Sequence, residues 1–282
     1  MNPIAIVTDS GTDVPEALCH RWDIHVLPLL VQYEAMTCRD RVDITVQQVL
    51  DRLDLEIPKT SMPTLGDAVA LLESLRDQGY KQALAVTISS GLSGTCQMLR
   101  LAAEDIEGMD VRVVDSRSIG IGAGALVIRA AELAAQGMGL DALEQSVEAM
   151  TRNIHVFFTM ETLQYLQKGG RIGKMSAAVG NLLSVRPVIT CNKEGVLQTV
   201  QKVRGNSAAL EAAVSQTVKA VGNQKRFRLF VAHADAAKRA RTAAEILKAR
   251  LPNAEEILLA EIGPALAVHS GPGLLGVGVQ LL

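Results

Sequence analysis

The first apolar run of the chain reads Ile4-Ala5-Ile6-Val7-Thr8, and it ends in the turn residues Asp9-Ser10-Gly11. An unbroken run of this kind is typical of a strand buried on both faces of a parallel sheet. Comparable runs recur at residues 83–88 and 111–115, and each is followed by a segment with helical periodicity. Repeated alternation of strand and helix predicts an α/β fold with a doubly wound, Rossmann-like parallel sheet.

The second half of the chain carries a different pattern. Residues 187–191 and 196–203 read as two strands, and Asn192-Lys193-Glu194-Gly195 between them predicts a hairpin turn. A hairpin combined with longer crossovers is typical of a mixed sheet. We therefore predict two α/β domains, residues 1–150 with the parallel sheet and residues 151–282 with the mixed sheet. No low-complexity linker separates them, so we expect them to pack closely and to bury a ligand between them.

Two local patterns bear on the region between the first strands. Residues 24–31 read as one strand, with Pro28 near an edge or a bulge. A capping-box spacing that begins at Thr64 predicts the start of a helix. Thr60 and Ser61, which come just before this helix, are therefore expected in a loop.

Composition and charge exclude several classes of function. Lys and Arg total 28 against 30 Asp and Glu, so the formal net charge is -2. The chain therefore lacks the overall positive charge that is typical of nucleic-acid-binding proteins. Four Phe, three Tyr and one Trp are too few for a base-stacking surface. The apolar runs are too short to span a bilayer, and the N-terminus has no pattern of a secretory signal. We therefore expect a cytoplasmic protein.

The cysteines and histidines show no metal-binding spacing. No two of the four cysteines lie within fifteen residues of each other, and the five histidines form no cluster. We therefore expect free thiols and no metal site.

Two glycine-rich segments resemble nucleotide-binding loops but depart from them. Gly120-Ile121-Gly122-Ala123-Gly124-Ala125 has a dinucleotide-like pattern, yet its glycines fall inside the predicted helix, where close packing explains them. Gly169-Gly170-Arg171-Ile172-Gly173-Lys174 is one residue short of a P-loop, and Met175 stands where Ser or Thr would hold magnesium. We predict no nucleotide site. Arg171 and Lys174 are expected as exposed cations of this loop.

A third glycine-containing segment, Gly91-Leu92-Ser93-Gly94-Thr95, hints at the nucleophile elbow of hydrolases, although Gly94 comes one position early. With His269 as the base and Asp9 as its orienting group, Ser93 would be the nucleophile of a stand-alone acyl hydrolase. The sequence does not establish the mutual geometry of these groups, so this alternative stays open.

The same residues also suit a site for a single carboxylate. Ser93 is expected at the N-cap of the following helix, where backbone N–H groups and the helix dipole favour an anion. Thr60 and Ser61 supply further hydroxyls, and His269 adds an imidazole. Such a cluster binds one carboxylate without a strong charge field. These groups lie near strand ends, and open α/β sheets bind their ligands beyond the carboxyl ends of the strands.

The chain resembles the DegV family along nearly its whole length. The resemblance rests on short motifs whose order and spacing are together specific: Val7-Thr8-Asp9-Ser10, Thr60-Ser61-Met62-Pro63, Ser89-Ser90-Gly91-Leu92-Ser93-Gly94-Thr95, Val114-Asp115-Ser116, Lys168-Gly169-Gly170-Arg171-Ile172-Gly173, Arg186-Pro187-Val188, Val203-Arg204 and His269-Ser270-Gly271-Pro272-Gly273. The family often has Gln where this chain has Met62, so we expect no polar role at that position.

The resemblance implies two α/β domains that enclose a buried long-chain fatty acid. It implies that Thr60, Ser93 and His269 hold the carboxylate of this acid and that Ser61 lies beside them. It implies no cofactor and no turnover by the chain alone. A binder of another amphiphile, such as a retinoid or a sterol, stays a further alternative.

The resemblance also implies a partner protein. Many family members are carrier subunits of bacterial fatty-acid kinase, which present the bound acid to a separate ATP-binding subunit. That subunit makes acyl phosphate for phospholipid synthesis. By resemblance, Arg171 and Arg204 fall on or near the surface that meets the kinase subunit.

Overall fold

The computed structural model describes residues 4–173 and 185–282 of the chain. The N-terminal half contains, in order, β1 (Ile4–Asp9), α1 (Glu16–Trp22), β2 (Ile24–Leu27), β3 (Leu30–Gln32), β4 (Thr37–Arg39), α2 (Val46–Arg52), β5 (Lys59–Ser61), α3 (Leu65–Asp77), β6 (Gln82–Thr87), α4 (Thr95–Glu104), β7 (Asp110–Asp115), α5 (Ile121–Ala135) and α6 (Leu140–Met150). The C-terminal half contains β8 (Ile154–Thr159), α7 (Gln164–Lys168), β9 (Val185–Cys191), β10 (Leu197–Arg204), α8 (Asn206–Val221), β11 (Phe227–His233), α9 (Ala237–Arg250), β12 (Ile257–Glu261), α10 (Pro264–Ser270) and β13 (Leu275–Leu281).

Four strands of the N-terminal half form the predicted parallel sheet, in the order β2-β1-β6-β7. In register, Ile6 of β1 pairs with Ile24 of β2 on one side and with Leu84 of β6 on the other. Every residue of β1 is buried, as an apolar run covered on both faces requires. Because β2 and β6 lie on opposite sides of β1, the strand order reverses there, which opens a crevice at the carboxyl edge of the sheet.

Residues 24–31 do not form one strand, so this prediction was wrong. The chain leaves the parallel sheet after Leu27, passes Pro28, and enters a separate antiparallel sheet of order β4-β3-β5. Proline has no backbone N–H to donate to a strand partner, so it interrupts the ladder at that point. In the small sheet Val31 pairs with Thr60, which places Thr60 on a strand and not in the expected loop.

Six strands of the C-terminal half form a mixed sheet of order β10-β9-β8-β13-β11-β12. The β9–β10 pair is the predicted hairpin, and the side chain of Asn192 accepts hydrogen bonds from the backbone of Glu194 and Val196 in its turn. Among the described strands of this sheet, β11 and β12 pair in parallel and the other neighbours pair antiparallel. The predicted α/β class, with a parallel and a mixed sheet in two domains, is confirmed; the boundary at residue 150 stays a prediction.

Helix α5 packs between the two sheets. It contacts β1 and β6 on one side and β8, β11 and β13 on the other, and it buries all but three of its residues. Gly122 and Gly124 lie inside this helix, as the sequence predicts, whereas Gly120 lies outside it as the N-cap, with a φ of 57°. A Cβ on Gly124 would overlap the carbonyl oxygen of Thr12, so this glycine lets the helix approach the turn after β1. Close packing, and not phosphate binding, explains the pattern that resembles a dinucleotide loop.

Candidate ligand-binding site

A cavity lies between the parallel and the mixed sheet, beyond the carboxyl ends of β1 and β6, and the empty space within its walls, part of it open to solvent, is about 900 Å³. Most of its wall is apolar, with contributions from both domains: Leu29, Ile88, Leu92, Ile119, Ile121, Val156, Phe158, Met160, Leu166, Leu197, Ala232, Ile262, Ala265, Leu266 and Leu274. Pockets with mostly apolar walls and a few polar groups hold small molecules in proteins. The site is therefore suited to a ligand with a long apolar body.

One end of the cavity is polar, and the residues predicted for a carboxylate site meet there. Thr60, Ser61, Ser93 and His269 all line the cavity wall. Thr60 Oγ1 and His269 Nε2 lie 2.6 Å apart and form a hydrogen bond. Three hydroxyls and one imidazole thus stand at the end of an otherwise apolar space. Each of them is able to donate a hydrogen bond to a carboxylate oxygen.

The elements that carry these residues differ from the sequence predictions. Thr60 and Ser61 lie on β5, and the strand pairing with β3 fixes their position. Ser93 is not the N-cap of α4; Gly94 occupies that position and makes no side-chain cap hydrogen bond. Ser93 stands one residue earlier, and its Oγ lies 2.8 Å from Thr95 Oγ1. Ser93 therefore does not occupy the N-cap position that would favour an anion. It belongs to the site because it lines the cavity wall.

His269 lies near the end of α10, a helix that the sequence analysis missed. Burial, reinforced by the positive charge of Arg171, lowers the pKa of His269 to about 4. The imidazole is therefore neutral at pH 7. Its Nδ1 is buried without a hydrogen-bond partner and faces Gly169. A neutral ring acts on a ligand as a single donor or acceptor at Nε2 and not as a cation.

Gly169 is a site residue whose role the sequence did not reveal. A Cβ at this position would overlap Nδ1 and Cε1 of His269. The absence of a side chain on Gly169 therefore leaves room for the imidazole beside the last turn of α7. The glycine-rich run 169–173 was the signal, but it suggested phosphate binding and not the packing of a histidine.

Arg171 stands where the cavity opens. Its Nη1 donates to the Gly169 carbonyl over 2.8 Å, and its Nε donates to the Leu92 carbonyl over 3.4 Å. It lines the polar end of the cavity and is only partly exposed, so it is not purely a surface residue. Arg204 ends β10 and is exposed. Lys174, the other predicted cation, lies outside the described residues.

A second groove adjoins the polar end from the outside. Thr60, Arg171 and His269 line both spaces. The remaining wall of the groove combines the cations Lys59 and Lys168 with other residues: Gln32, Leu53, Asp54, Leu55, Ile57, Pro58, Gly169 and Gly170. A carboxylate held beside Thr60 and His269 would therefore lie between a buried apolar space and a surface groove that carries positive charge.

The hydrogen bonds of the described residues do not form the hydrolase triad. His269 Nε2 is paired with Thr60, and Ser93 is paired with Thr95. Asp9 accepts hydrogen bonds from the backbone of Gly11 and Ile88, each over 2.9 Å, and does not contact the imidazole. The base therefore lacks the orienting carboxylate that serine hydrolases require.

Within 4–173 and 185–282, no three His, Cys, Asp or Glu side chains form a group that could hold a metal ion. In the same residues, no helix combines the length and the apolar character needed to cross a membrane.

Comparison with known proteins identifies close relatives over the whole chain. A DegV domain-containing protein of Clostridium acetobutylicum is 38% identical over 277 residues, which cover 98% of each chain. The structure of a DegV family protein from Thermus thermophilus, described by its fatty-acid binding, superimposes with a TM-score of 0.92 at 33% identity and covers 99% of each chain.

A further similar structure is that of a stearic-acid-binding protein from Eubacterium ventriosum. It has a TM-score of 0.88 at 26% identity, with 98% of this chain and 97% of that one covered. The family model described as "Uncharacterised protein, DegV family" matches residues 3–281. The fold, the sequence motifs and these matches agree, and the chain belongs to the DegV family.

Proposed function

We propose that this protein binds one long-chain fatty acid, with its tail in the apolar cavity and its carboxylate among Thr60, Ser61, Ser93 and His269. The observation that carries the proposal is the hydroxyl–imidazole pair of Thr60 and His269 at one end of a cavity whose remaining wall is mostly apolar. A long-chain fatty acid matches this arrangement, because its tail is apolar and its single carboxylate is polar. The DegV family protein of Thermus thermophilus, described by its fatty-acid binding, and the stearic-acid-binding protein of Eubacterium ventriosum support it.

The tail supplies most of the affinity in this proposal. Burial of a sixteen-carbon tail contributes on the order of 11 kcal/mol of gross transfer free energy, at ~0.8 kcal/mol per CH₂. Loss of translational freedom and ordering of the tail offset a large part of this gain. The head-group contacts add less free energy, but they orient the ligand and distinguish an acid from an alcohol or an ester.

The head group is held by dipoles and one nearby cation. Because the pKa of His269 is lowered to about 4 by burial, its ring meets the ligand as a neutral donor. The hydroxyls of Thr60 and Ser93 add two donors to the charged carboxylate, which strengthens each bond relative to a neutral acceptor. Arg171 lines the same end and offers a compensating positive charge.

We further propose that the protein presents this carboxylate to a separate ATP-binding kinase subunit and does not itself catalyse a reaction. The groove that adjoins the polar end would admit the phosphoryl donor, and its cations Lys59 and Lys168 would suit phosphate oxygens. Arg171 and Arg204 are the candidates for contact with that subunit. The product would be an acyl phosphate, released for phospholipid synthesis.

The deciding experiment is mass spectrometry of lipid extracted from protein purified without added ligand. We expect a long-chain fatty acid at about one per chain. Gly276 lines the cavity, so Gly276→Leu should fill the tail space and abolish the bound lipid. Gly139→Leu is the matched control, because no atom lies near its Cβ position. If the wild type yields no acyl lipid and binds no fluorescent fatty acid at micromolar concentration, the proposal fails.

A further inference from the structure

Two carboxylates from the N-terminal half hold the first turn of α10. Asp13 Oδ1 accepts a hydrogen bond from the backbone N–H of Gly263 over 2.7 Å. Asp40 Oδ1 accepts one from the backbone N–H of Ala265 over 3.1 Å. Both carboxylates are buried, and both lie more than two hundred residues away in sequence from the groups they bind. They satisfy N–H groups that the helix cannot pair internally.

Further contacts fix the two carboxylates themselves. Ser10 Oγ donates to Asp40 Oδ2 over 2.6 Å. Arg41 Nη2 donates to Asp13 Oδ1 and to the carbonyl of Glu261, each over 2.8 Å. Asp13 and Arg41 both adopt positive φ, at 51° and 62°, which L-residues adopt rarely and keep only when their surroundings enforce it. We call Asp13, Asp40 and Arg41 the α10 anchor.

Two hydrogen bonds connect the small sheet and the residue that follows it to α10. Asp40 follows β4 of this sheet and accepts a hydrogen bond from the backbone of Ala265. Thr60 on β5 is hydrogen-bonded to His269. Ala265 and His269 are one helical turn apart, so the two contacts are separated by about 6 Å along the helix axis. The distance between Thr60 Oγ1 and His269 Nε2 therefore depends on where the anchor sets the start of the helix.

From this geometry we infer that Asp40, supported by Asp13 and Arg41, is a positioning residue that sets the imidazole of His269 at the head-group site. The inference rests on the proposed function for its ligand. Asp40 does not touch that ligand in this account; it acts through α10. Loss of the anchor should therefore weaken recognition of a carboxylate and leave recognition of the tail unchanged.

The first test compares two ligands with the same tail. For Asp40→Ala we expect the affinity for palmitic acid to fall about tenfold, because one charge-assisted contact to the carboxylate is lost. The affinity for hexadecanol should change by less than about twofold, since its neutral head depends little on that contact. A variant that only loosened the fold would weaken both ligands together.

The second test needs no ligand. In wild-type protein the NMR titration midpoint of the His269 ring should lie near pH 4, as burial lowers its pKa to about 4. In Asp40→Ala the ring should gain solvent, and its midpoint should rise toward the value of about 6.5 for a free histidine. This measurement stays valid even if the wild type binds no fatty acid, so it separates failure of the anchor from failure of the proposed function.

Two matched variants control for general destabilisation. Glu132→Gln weakens another buried tie between the halves, the 2.7 Å ion pair of Glu132 on α5 with Arg228 on β11. Glu132→Gln should leave the ratio of palmitic acid affinity to hexadecanol affinity at its wild-type value. It should also leave the titration midpoint of His269 unchanged. Asp40→Asn keeps an oxygen that accepts from Ala265, so it should restore the ratio to within about threefold of wild type.

Arg41→Ala keeps the test decisive if Asp40→Ala does not fold. The Arg41 side chain is 37% exposed, so its truncation leaves no sealed cavity. We expect a loss of several-fold in the ratio of palmitic acid to hexadecanol affinity, in the same direction as for Asp40→Ala. The inference is overturned if the folded anchor variants keep the wild-type ligand ratio and the wild-type His269 titration.

Discussion

Thr60 Oγ1 and His269 Nε2 form a 2.6 Å hydrogen bond across 209 residues of sequence. The bond joins a strand of the small antiparallel sheet to the last helix of the chain, at the polar end of the cavity. While this bond stands, one proton lies between the two atoms, so the pair offers an entering carboxylate a single donor, and a second donor becomes free only when the bond breaks. That single donor is held in place before the ligand arrives, which lowers the ordering cost of binding.

Removal of any one head-group donor should weaken fatty-acid binding. For Thr60→Val, Ser93→Ala and His269→Ala we expect a loss of about tenfold to a hundredfold each, since a charge-assisted hydrogen bond contributes roughly 1.5–3 kcal/mol. Displacement of a fluorescent fatty acid measures this. Thr217→Val, which removes a buried hydroxyl on α8, is the control and should bind normally.

The hydrolase alternative predicts a different outcome for the same variants. There, Ser93→Ala would abolish ester turnover by orders of magnitude and leave ligand affinity nearly unchanged. Ester hydrolysis by the wild type, together with an acyl adduct on Ser93 in the mass spectrum, would refute the carrier. We expect neither, because Ser93 is paired with Thr95 and not with His269.

Gly169→Ala should damage the site through packing alone. The new methyl group would overlap His269 Nδ1, so the ring or the last turn of α7 must shift, which disturbs the contact of the ring with Thr60. We expect at least a tenfold loss of fatty-acid affinity in the same displacement assay, because the loss of one charge-assisted hydrogen bond has about this effect. Gly139→Ala is the matched control, because its Cβ position is open and its φ of -71° is ordinary for alanine. Equal effects of the two substitutions would contradict the packing role of Gly169.

The neutral state of His269 makes part of the stability depend on pH. Burial lowers the folded-state pKa from 6.5 to about 4, so between these values the unfolded chain binds more protons. The contribution is therefore complete above pH 6.5 and is lost as the pH falls toward 4. In delipidated protein, the difference in unfolding free energy between wild type and His269→Gln should shrink by about 2 kcal/mol from pH 7.5 to pH 5. A constant difference in urea titrations would contradict the buried neutral ring.

The two arginines should affect presentation of the ligand more than its binding. With a kinase subunit present, Arg204→Ala should slow acyl-phosphate formation and leave fatty-acid affinity unchanged, since Arg204 is exposed on β10. Arg171→Ala should slow it too and also weaken binding a few-fold, because Arg171 lines the polar end. Arg152→Ala, at another exposed arginine, should change neither rate nor affinity. Normal rates in both Arg171→Ala and Arg204→Ala would remove these residues from the partner surface.

Local signals in the sequence predicted much of the fold. The Thr64 capping box starts α3 where expected, because both of its hydrogen bonds link residues three apart. The hairpin turned at Asn192 is likewise set by neighbours in sequence. Helix α10 was missed because seven mostly buried residues show no amphipathic period, although Pro264 at its start and Gly271 after its end are the usual boundary signals.

Long-range contacts could not be predicted in the same way. The sequence named Thr60, Ser61, Ser93 and His269 as candidates, but not the small sheet that orders the first two. The contact of Asp40 with Ala265 spans 225 residues and carries no local pattern. Such pairings depend on how complete elements pack, and a single sequence does not contain that information in readable form.

The position of α5 between the two sheets has a consequence for how the protein unfolds. Residues of both halves, such as Leu126, Phe158 and Phe230, belong to one continuous apolar cluster. A break in the chain near residue 150 would therefore split a shared core and leave α5 with one bare face. We expect a single cooperative melting transition for the intact chain, and aggregation of residues 1–150 produced alone. On this expectation, the parallel sheet and the mixed sheet unfold together as one thermodynamic unit.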